Sequence, residues 1–386
     1  MRKVCVVGVG STAYGKNKES NREMLTRASL DALEDAGVDP KEVDGAFFGN
    51  AFAVTERQGH IGPLVMSALG IPDAPSTTVE AACASAGAAF REAWVNVASG
   101  LHDVFLAGGT EKVSTIDTLT ATGYFAYGSD YVFEGGNGCS FPGLYAAMAT
   151  AHMHEHGTTS EDLAEIAVKN HKHAVDNPKA HLQKAVTVED VLGSMEVASP
   201  LHFYDCCPFS DGATAVVLCS EEVAKKLTDT PVYVQGAGRA GSVAALHDRE
   251  SFTSIPATKR AAAEALKMAG KTVQDIDLFE VHDCFTIAEA IATEDLGLFK
   301  PGTGAKQARE GVTYRDGKVP VNPSGGLKAK GHPVGATGTG QIVEAVLQLR
   351  GEAGKRQVDG AETVLTHNVG ATGGSCAVHI FGRSVA

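Results

Sequence analysis

Apolar residues along the chain follow two rhythms. Short unbroken runs such as "VCVVGVG" (4–10), "DVFLAGGTEK" (103–112), "GATAVVLCS" (212–220), "TVLTHNVGAT" (363–372) and "GSCAVHIFG" (374–382) have the length and composition of buried strands. Between them lie stretches with helical spacing, such as "TIAEAIATEDL" (286–296). The boundary is sharpest in "EVHDCFTIAEA" (280–290), where the strand-like "DIDLF" (275–279) gives way to a helix. Side chains alternate faces on a strand, so His282 and Cys284 are expected on one side and Asp283 on the other. Thr286 and Glu289 have capping-box spacing, which predicts a helix starting just past the triplet and leaves the triplet at an exposed sheet end.

The pattern repeats. "DALEDAGVDPKEVDGAFFGNAF" (31–52) aligns without a gap on "EALKMAGKTVQDIDLFEVHDCF" (264–285), with Ala32, Leu33, Ala36, Gly37, Asp44 and Phe52 each meeting an identical residue. "VCVVGVG" opens the first copy as "VYVQGAG" (232–238) opens the second, and two strands close each. Alternating strands and helices predict two similar α/β halves built on mostly parallel sheets. The first half is discontinuous, comprising 1–113 and 206–225. An insertion over 114–205, rich in His, charge and helical pattern, is placed to form a lid or cofactor-binding arm, and the second half spans 226–386.

Composition narrows the function classes. With 386 residues, 44% hydrophobic and 20% charged, the chain is globular and long enough to enclose a site. A formal charge of -13 with no basic run argues against nucleic acid. The N-terminus has no signal-like apolar region and no stretch is long enough to span a bilayer, so the expectation is a cytoplasmic protein. Eight scattered cysteines without a C-x-x-C motif read as reduced thiols.

Several motifs invite a ligand. "GVGSTA" (8–13) and "GAGRAG" (236–241) fit dinucleotide fingerprints, but polar loops follow where a helix must begin, so both read as strand-end turns. "GLKAKGH" (326–332) resembles a phosphate loop with His332 in place of its lysine. "HMHEH" (152–156) and "HKH" (171–173) lack a completing ligand at metal-site spacing and read as solvated or ligand-facing helix surface, so no metal is expected. Cys83, in "VEAACASAGAAF" (79–90), falls at the start of a small-residue helix, where the macrodipole is expected to favour its thiolate. His332 lies in the glycine-dense "NPSGGLKAKGHPVGATGTG" (322–340), held extended by Pro333. Ligands collect beyond the carboxyl ends of parallel strands. Cys83, His282, Cys284 and His332 are therefore expected to face one cavity as nucleophile, base and polar stabilisers.

The ordered set "CAS" (83–85), "HDCF" (282–285), "GHPVGATG" (331–338) and "NVGATGG" (368–374) resembles the thiolase superfamily over nearly the whole chain. Within it the set is most similar to the sterol-carrier-protein-like branch and its archaeal acetoacetyl-CoA thiolases. The resemblance implies a duplicated five-layered αβαβα fold with an inserted loop domain, coenzyme A thioesters as substrates and no permanently bound cofactor. It implies Cys83 as the acetyl-accepting nucleophile and His332 as its base. It also implies an oxyanion hole from the N–H groups of Cys83 and Gly370, with His332 and a water held by His282 serving the enolate oxygen. Familiar thiolases carry Asn where this chain has His282, and a second cysteine where it has Asn368. Cys284 is expected to replace that thiol, and Cys207, in "DCCPFSDG" (205–212), to line the pantetheine tunnel.

Further implications are acetyl-CoA, acetoacetyl-CoA and CoA as ligands, a homodimer or homotetramer, and a mevalonate-feeding complex with HMG-CoA synthase and a zinc-ribbon OB-fold scaffold protein. Rival readings are a degradative 3-ketoacyl-CoA thiolase, a decarboxylating ketoacyl synthase and a catalytically silent acyl-CoA-binding subunit.

Overall fold

The computed structural model describes residues 1–385. The first half runs β1 (Val4–Ser11), α1 (Asn21–Ala36), β2 (Gly45–Gly49), α2 (Ile61–Ala68), β3 (Ser76–Val79), α3 (Ser85–Ala98) and β4 (Val104–Glu111). A mainly helical segment follows, with α4 (Thr118–Phe125), α5 (Phe141–His156), α6 (Ser160–Ala174), α7 (Val188–Leu192) and a small hairpin, β5 (Glu196–Ala198) and β6 (Leu201–His202). The half closes with β7 (Gly212–Ser220) and α8 (Glu221–Leu227). The second half runs β8 (Val232–Gly241), α9 (Pro256–Ala269), β9 (Leu278–Glu280), α10 (Thr286–Asp295), α11 (Gly304–Arg309), α12 (Thr337–Arg350), β10 (Thr363–Gly370) and β11 (Ser375–Gly382).

The strands order as β3-β2-β4-β7-β1-β8-β11-β10-β9. Val321 extends the far edge through a parallel bridge to Phe279. Each half therefore has one strand order, written once forward and once reversed, and the two meet where Cys5 and Val6 pair with Tyr233 and Val232. The duplication reaches single hydrogen bonds. The Asp44 carboxylate accepts the N–H groups of Asp103 and Val104, and its counterpart Asp277 accepts those of Glu362 and Thr363. Gly37 and Gly270 end their helices in the same left-handed conformation, at φ 65° and 62°.

The expectation of mostly parallel sheets is corrected. Beyond isolated bridges such as Val321 to Phe279, parallel pairing is confined to β3-β2-β4 and β9-β10, while β7, β1, β8 and β11 pair antiparallel because each half closes with a returning strand. Helices α1 and α2 cover one outer face, α9 and α10 the other, and α3 and α12 lie between the two sheet halves. This is the five-layered arrangement. In the middle layer Phe90, Trp94, Ile342 and Val346 pack with Val6, Leu218 and Phe381 in one buried cluster.

The G-x-G pairs have a packing role. A Cβ at Gly10 would strike the Ala28 carbonyl of α1, and one at Gly238 would strike the Ala261 carbonyl of α9. Gly8 and Gly236 stand likewise against Ala32 and Ala265. Outer helices thus approach the sheet more closely than any side chain allows, which accounts for the motif recurring in both halves.

Gly238→Val is expected to destabilise the protein by about 1–3 kcal/mol through overpacking against α9. The check is the denaturation midpoint in guanidinium chloride against wild type.

Candidate active site

The nucleophile candidate sits on a strained turn. After β3 the chain passes Ala82 at φ 48°, a left-handed conformation costing about 1–2 kcal/mol for a residue with a Cβ. The Ser85 hydroxyl holds the turn, accepting from Ala81 N–H at 2.9 Å and donating to the Ala82 carbonyl at 2.6 Å. Cys83 therefore projects just ahead of α3, and the N–H of Ala371 reaches its sulfur. The expected lowering of its pKa is corrected: burial dominates and pushes the thiol up to about 12, with the backbone N–H groups of Ala371 and Cys83 opposing it.

His332 arrives from the second half. It follows a π-helical turn, Gly326–Lys330, where the sequence suggested a phosphate loop. Its N–H donates to Ser210 Oγ at 3.2 Å. Its Nδ1 lies 2.6 Å from Thr337 Oγ1, whose own proton goes to the Pro333 carbonyl at 3.0 Å. The hydroxyl can only accept from the ring, so Nδ1 carries the proton and Nε2 keeps its lone pair. Burial, with Lys328 and Lys330 nearby, pushes His332 down to about 3, so the ring is neutral. Thr337, five residues on in "HPVGAT", carried no sequence signal as a partner of His332.

His282, Asp283 and Cys284 do split across two faces. Cys284 lines the same cavity as Cys83, while His282 packs edge-on to His332 with ring centroids 5.2 Å apart. Asp283 turns the other way, accepting from Leu327 N–H at 2.7 Å, Lys328 N–H at 3.2 Å and Asn170 Nδ2 at 2.7 Å. Two expectations fail here. The triplet is buried, because α6 and the π-helical turn cover it. No capping box forms either: Phe285 is the N-cap of α10, Thr286 donates to Asp205, and Glu289 is taken up by Lys169, Asn170 and Asn322. The preceding strand is also shorter than "DIDLF" suggested, beginning at Leu278.

Cys83 Sγ and one nitrogen each of His282 and His332 lie within 4.8 Å of one another. Above them is a cavity of about 100 Å³, room for roughly three waters or a short acyl group. Its wall is apolar, with Phe52, Phe125, Phe141, Tyr145, Phe209 and Phe285, and it also includes Cys207 and Cys284. Burial pushes the Cys284 thiol well up, and the Tyr145 hydroxyl is a group that opposes this. Gly370 ends β10 against the Ala81 carbonyl, one residue before Ala371 on the cavity wall. Glu111 went unnoticed in the sequence. Its buried carboxylate accepts N–H groups from Ala51, Phe52 and Gly335, tying the end of β4 to the turn after His332, and burial raises it to about 7.

The histidine-rich stretches are solvated surface only in part: His154 and Lys172 are exposed, but other histidines turn inward. His152 is buried between Thr158 Oγ1 at 2.8 Å and Glu294 at 3.1 Å. His171 and His173 are also buried, bonding the carbonyls of Lys184 and Asn322. His152 and His173 fix the inserted segment to the second half, while His171 ties two parts of the inserted segment together.

Comparison with known proteins identifies the family. Residues 4–222 match the family model "Thiolase, N-terminal domain" and residues 238–383 match "Thiolase C-terminal domain-like". The chain is 51% identical to an acetyl-CoA acetyltransferase of Methanothermobacter thermautotrophicus over 99% of its own length and 100% of that protein. It is 34% identical to human sterol carrier protein 2, covering 99% of this chain and 72% of the relative. Among solved structures it resembles the Ltp2-ChsH2(DUF35) aldolase with a TM-score of 0.86 and 27% identity, over 99% of this chain and 98% of that one.

With a thiol near 12, thiolate at Cys83 is scarce in the free protein and grows tenfold per pH unit. Its alkylation by iodoacetamide, followed by peptide mass, is therefore expected to climb without a plateau between about pH 6 and pH 9. A plateau near neutrality would reveal a preformed thiolate–imidazolium pair.

Proposed function

The chain belongs to the thiolase family, and from that membership we propose that it is an acetyl-CoA C-acetyltransferase. It joins two acetyl-CoA into acetoacetyl-CoA and runs the reverse thiolysis through an acetyl-cysteine intermediate. The observation that carries the reading is the meeting of Cys83, His282 and His332 within 4.8 Å beneath a small apolar cavity that Cys284 also lines.

The proton bookkeeping closes on these residues. His332 Nε2 takes the proton of Cys83 as the sulfur attacks the acetyl carbonyl, and the oxyanion rests on the N–H groups of Cys83 and Gly370. Coenzyme A leaves as a thiolate and receives the proton of Cys284. The Cys284 thiolate then removes a proton from the methyl carbon of the second acetyl-CoA, while His332 and a water held by His282 face the enolate oxygen. The enolate attacks acetyl-Cys83, and the Cys83 sulfur departs and recovers its proton from His332. In the apolar cavity the Cys284 thiolate is a strong base, since burial raises its pKa.

Coenzyme A thioesters are the substrates, and no resident cofactor takes part in these steps. Cys207, on the cavity wall, is assigned to the pantetheine path. The reading extends to a cytoplasmic homodimer or homotetramer feeding mevalonate synthesis beside HMG-CoA synthase and a zinc-ribbon OB-fold scaffold. The likeness to the Ltp2-ChsH2(DUF35) aldolase, whose name joins two components, supports a search for a partner protein.

Incubation with acetyl-CoA and intact-mass analysis is expected to show one acetyl group, lost in Cys83→Ala together with at least roughly 10⁴-fold of thiolysis. No adduct on the wild type would favour a silent acyl-CoA-binding subunit. Cys284→Ala is expected to keep the acetyl adduct while losing roughly 10²–10⁴-fold of carbon–carbon bond exchange. Equal thiolysis of acetoacetyl-CoA and long 3-ketoacyl-CoA would move the assignment to a degradative thiolase.

A further inference from the structure

Asn368 stands where better-known thiolases carry their second cysteine, and its surroundings fix which end of the amide points where. Its Nδ2 lies 2.9 Å from the Cys83 carbonyl, a group that only accepts. Its Oδ1 has no hydrogen-bond partner and lies so close to Gly87 and Gly338 that a Cβ on either would strike it, beside the first turns of α3 and α12. Those turns are the positive ends of both middle-layer helices, so they favour oxygen there over an amide N–H₂. The amide therefore has one orientation, and Nδ2 is also the atom that faces His282 Nδ1, at 3.3 Å.

A donor facing Nδ1 requires a lone pair on it. Because burial and the neighbouring His332 and His367 hold His282 well below its ordinary pKa, the ring is neutral and its single proton lies on Nε2. That Nε2 is buried and has no protein partner. The backbone of the residue is anchored separately: His282 N–H donates to His367 Nδ1 at 3.3 Å, and His367 Nε2 pairs with Thr258 Oγ1 at 2.9 Å.

We infer that Asn368 is a positioning residue that sets the tautomer of His282, making this histidine a permanent hydrogen-bond donor to substrate oxygen or to the water before it. His332 is held in the opposite form by Thr337, with its proton on Nδ1 and Nε2 free to act as base. Two imidazoles 5.2 Å apart are thus kept in different roles by one amide and one hydroxyl. The replaced cysteine has become an orienting group, and proton exchange has moved to Cys284. A proton on His282 Nε2 also withholds that atom from a metal ion, although the three side chains lie close enough to be ligands.

The inference rests on the thiolysis reading, and its test separates the two. Nitrogen NMR of ¹⁵N-histidine-labelled protein, with His282→Gln and His332→Gln as assignment controls, is expected to show His282 protonated on Nε2 and His332 on Nδ1. A wild-type His282 protonated on Nδ1, or charged near neutral pH, would overturn it. Asn368→Asp replaces the donor by an acceptor and is expected to move the His282 proton to Nδ1. In this variant acetylation of Cys83 persists within about tenfold, while acetoacetyl-CoA thiolysis falls roughly 10²–10³-fold, the loss typical of one removed oxyanion donor. Thiolysis within about tenfold of wild type would also overturn it. Failure of the wild type to acetylate at all would instead remove the proposed function.

Discussion

Asp283 lies in the chain between His282 and Cys284, and its carboxylate takes the N–H groups of Leu327 and Lys328, the stretch that leads to His332. One buried anion therefore joins two site segments some fifty residues apart in sequence. Asn170 of the inserted α6 adds a third donor and bridges to Glu289, which Lys169 neutralises at 2.9 Å. Burial, and the Glu289 charge beside it, push Asp283 up, and Lys328, the Leu327 N–H and Lys169 oppose them. Gly326, at φ 58°, lets the π-helical turn approach this carboxylate, since a Cβ there would strike it. Without the carboxylate, two buried N–H groups would lose their partner and the spacing between His282 and His332 would lose its strut.

The second theme is neutrality at rest. Burial pushes Cys83 up to about 12 and His332 down to about 3, so the empty cavity stores no ion pair. That suits an apolar wall, where isolated charges are costly. Negative charge appears only as a substrate oxygen or sulfur acquires it. The groups awaiting it, donors and base alike, are fixed in advance by Ser85, Thr337 and Asn368. The three are small or neutral, and none adds a charge to the cavity.

Much of this was readable from residue patterns, for identifiable reasons. The repeat was visible because identical caps and packing contacts recur, as at Gly37 and Gly270 or Asp44 and Asp277. The convergence of Cys83, His282 and His332 followed from strand-end positions. Hidden were the groups whose significance lies in a partner far along the chain: Glu111 reaching Gly335, and Asn368 reaching Cys83 and His282. Local rules also failed where tertiary contacts outbid them. Glu289 leaves the cap that its spacing suggested for three buried partners, and the dipole at Cys83 loses to desolvation.

The reversed strand order bears on what each half can bring to the shared site. Cys83 follows β3, and the turn bearing His332 follows Val321, the counterpart of β3 in the other half. In a symmetric pair of identical subunits, whatever residue stood at that point would stand there twice, so sulfur would face sulfur or imidazole would face imidazole. With both copies in one chain that restriction is absent. Each copy can carry its own residue at an equivalent point, as Gly49 and His282 do.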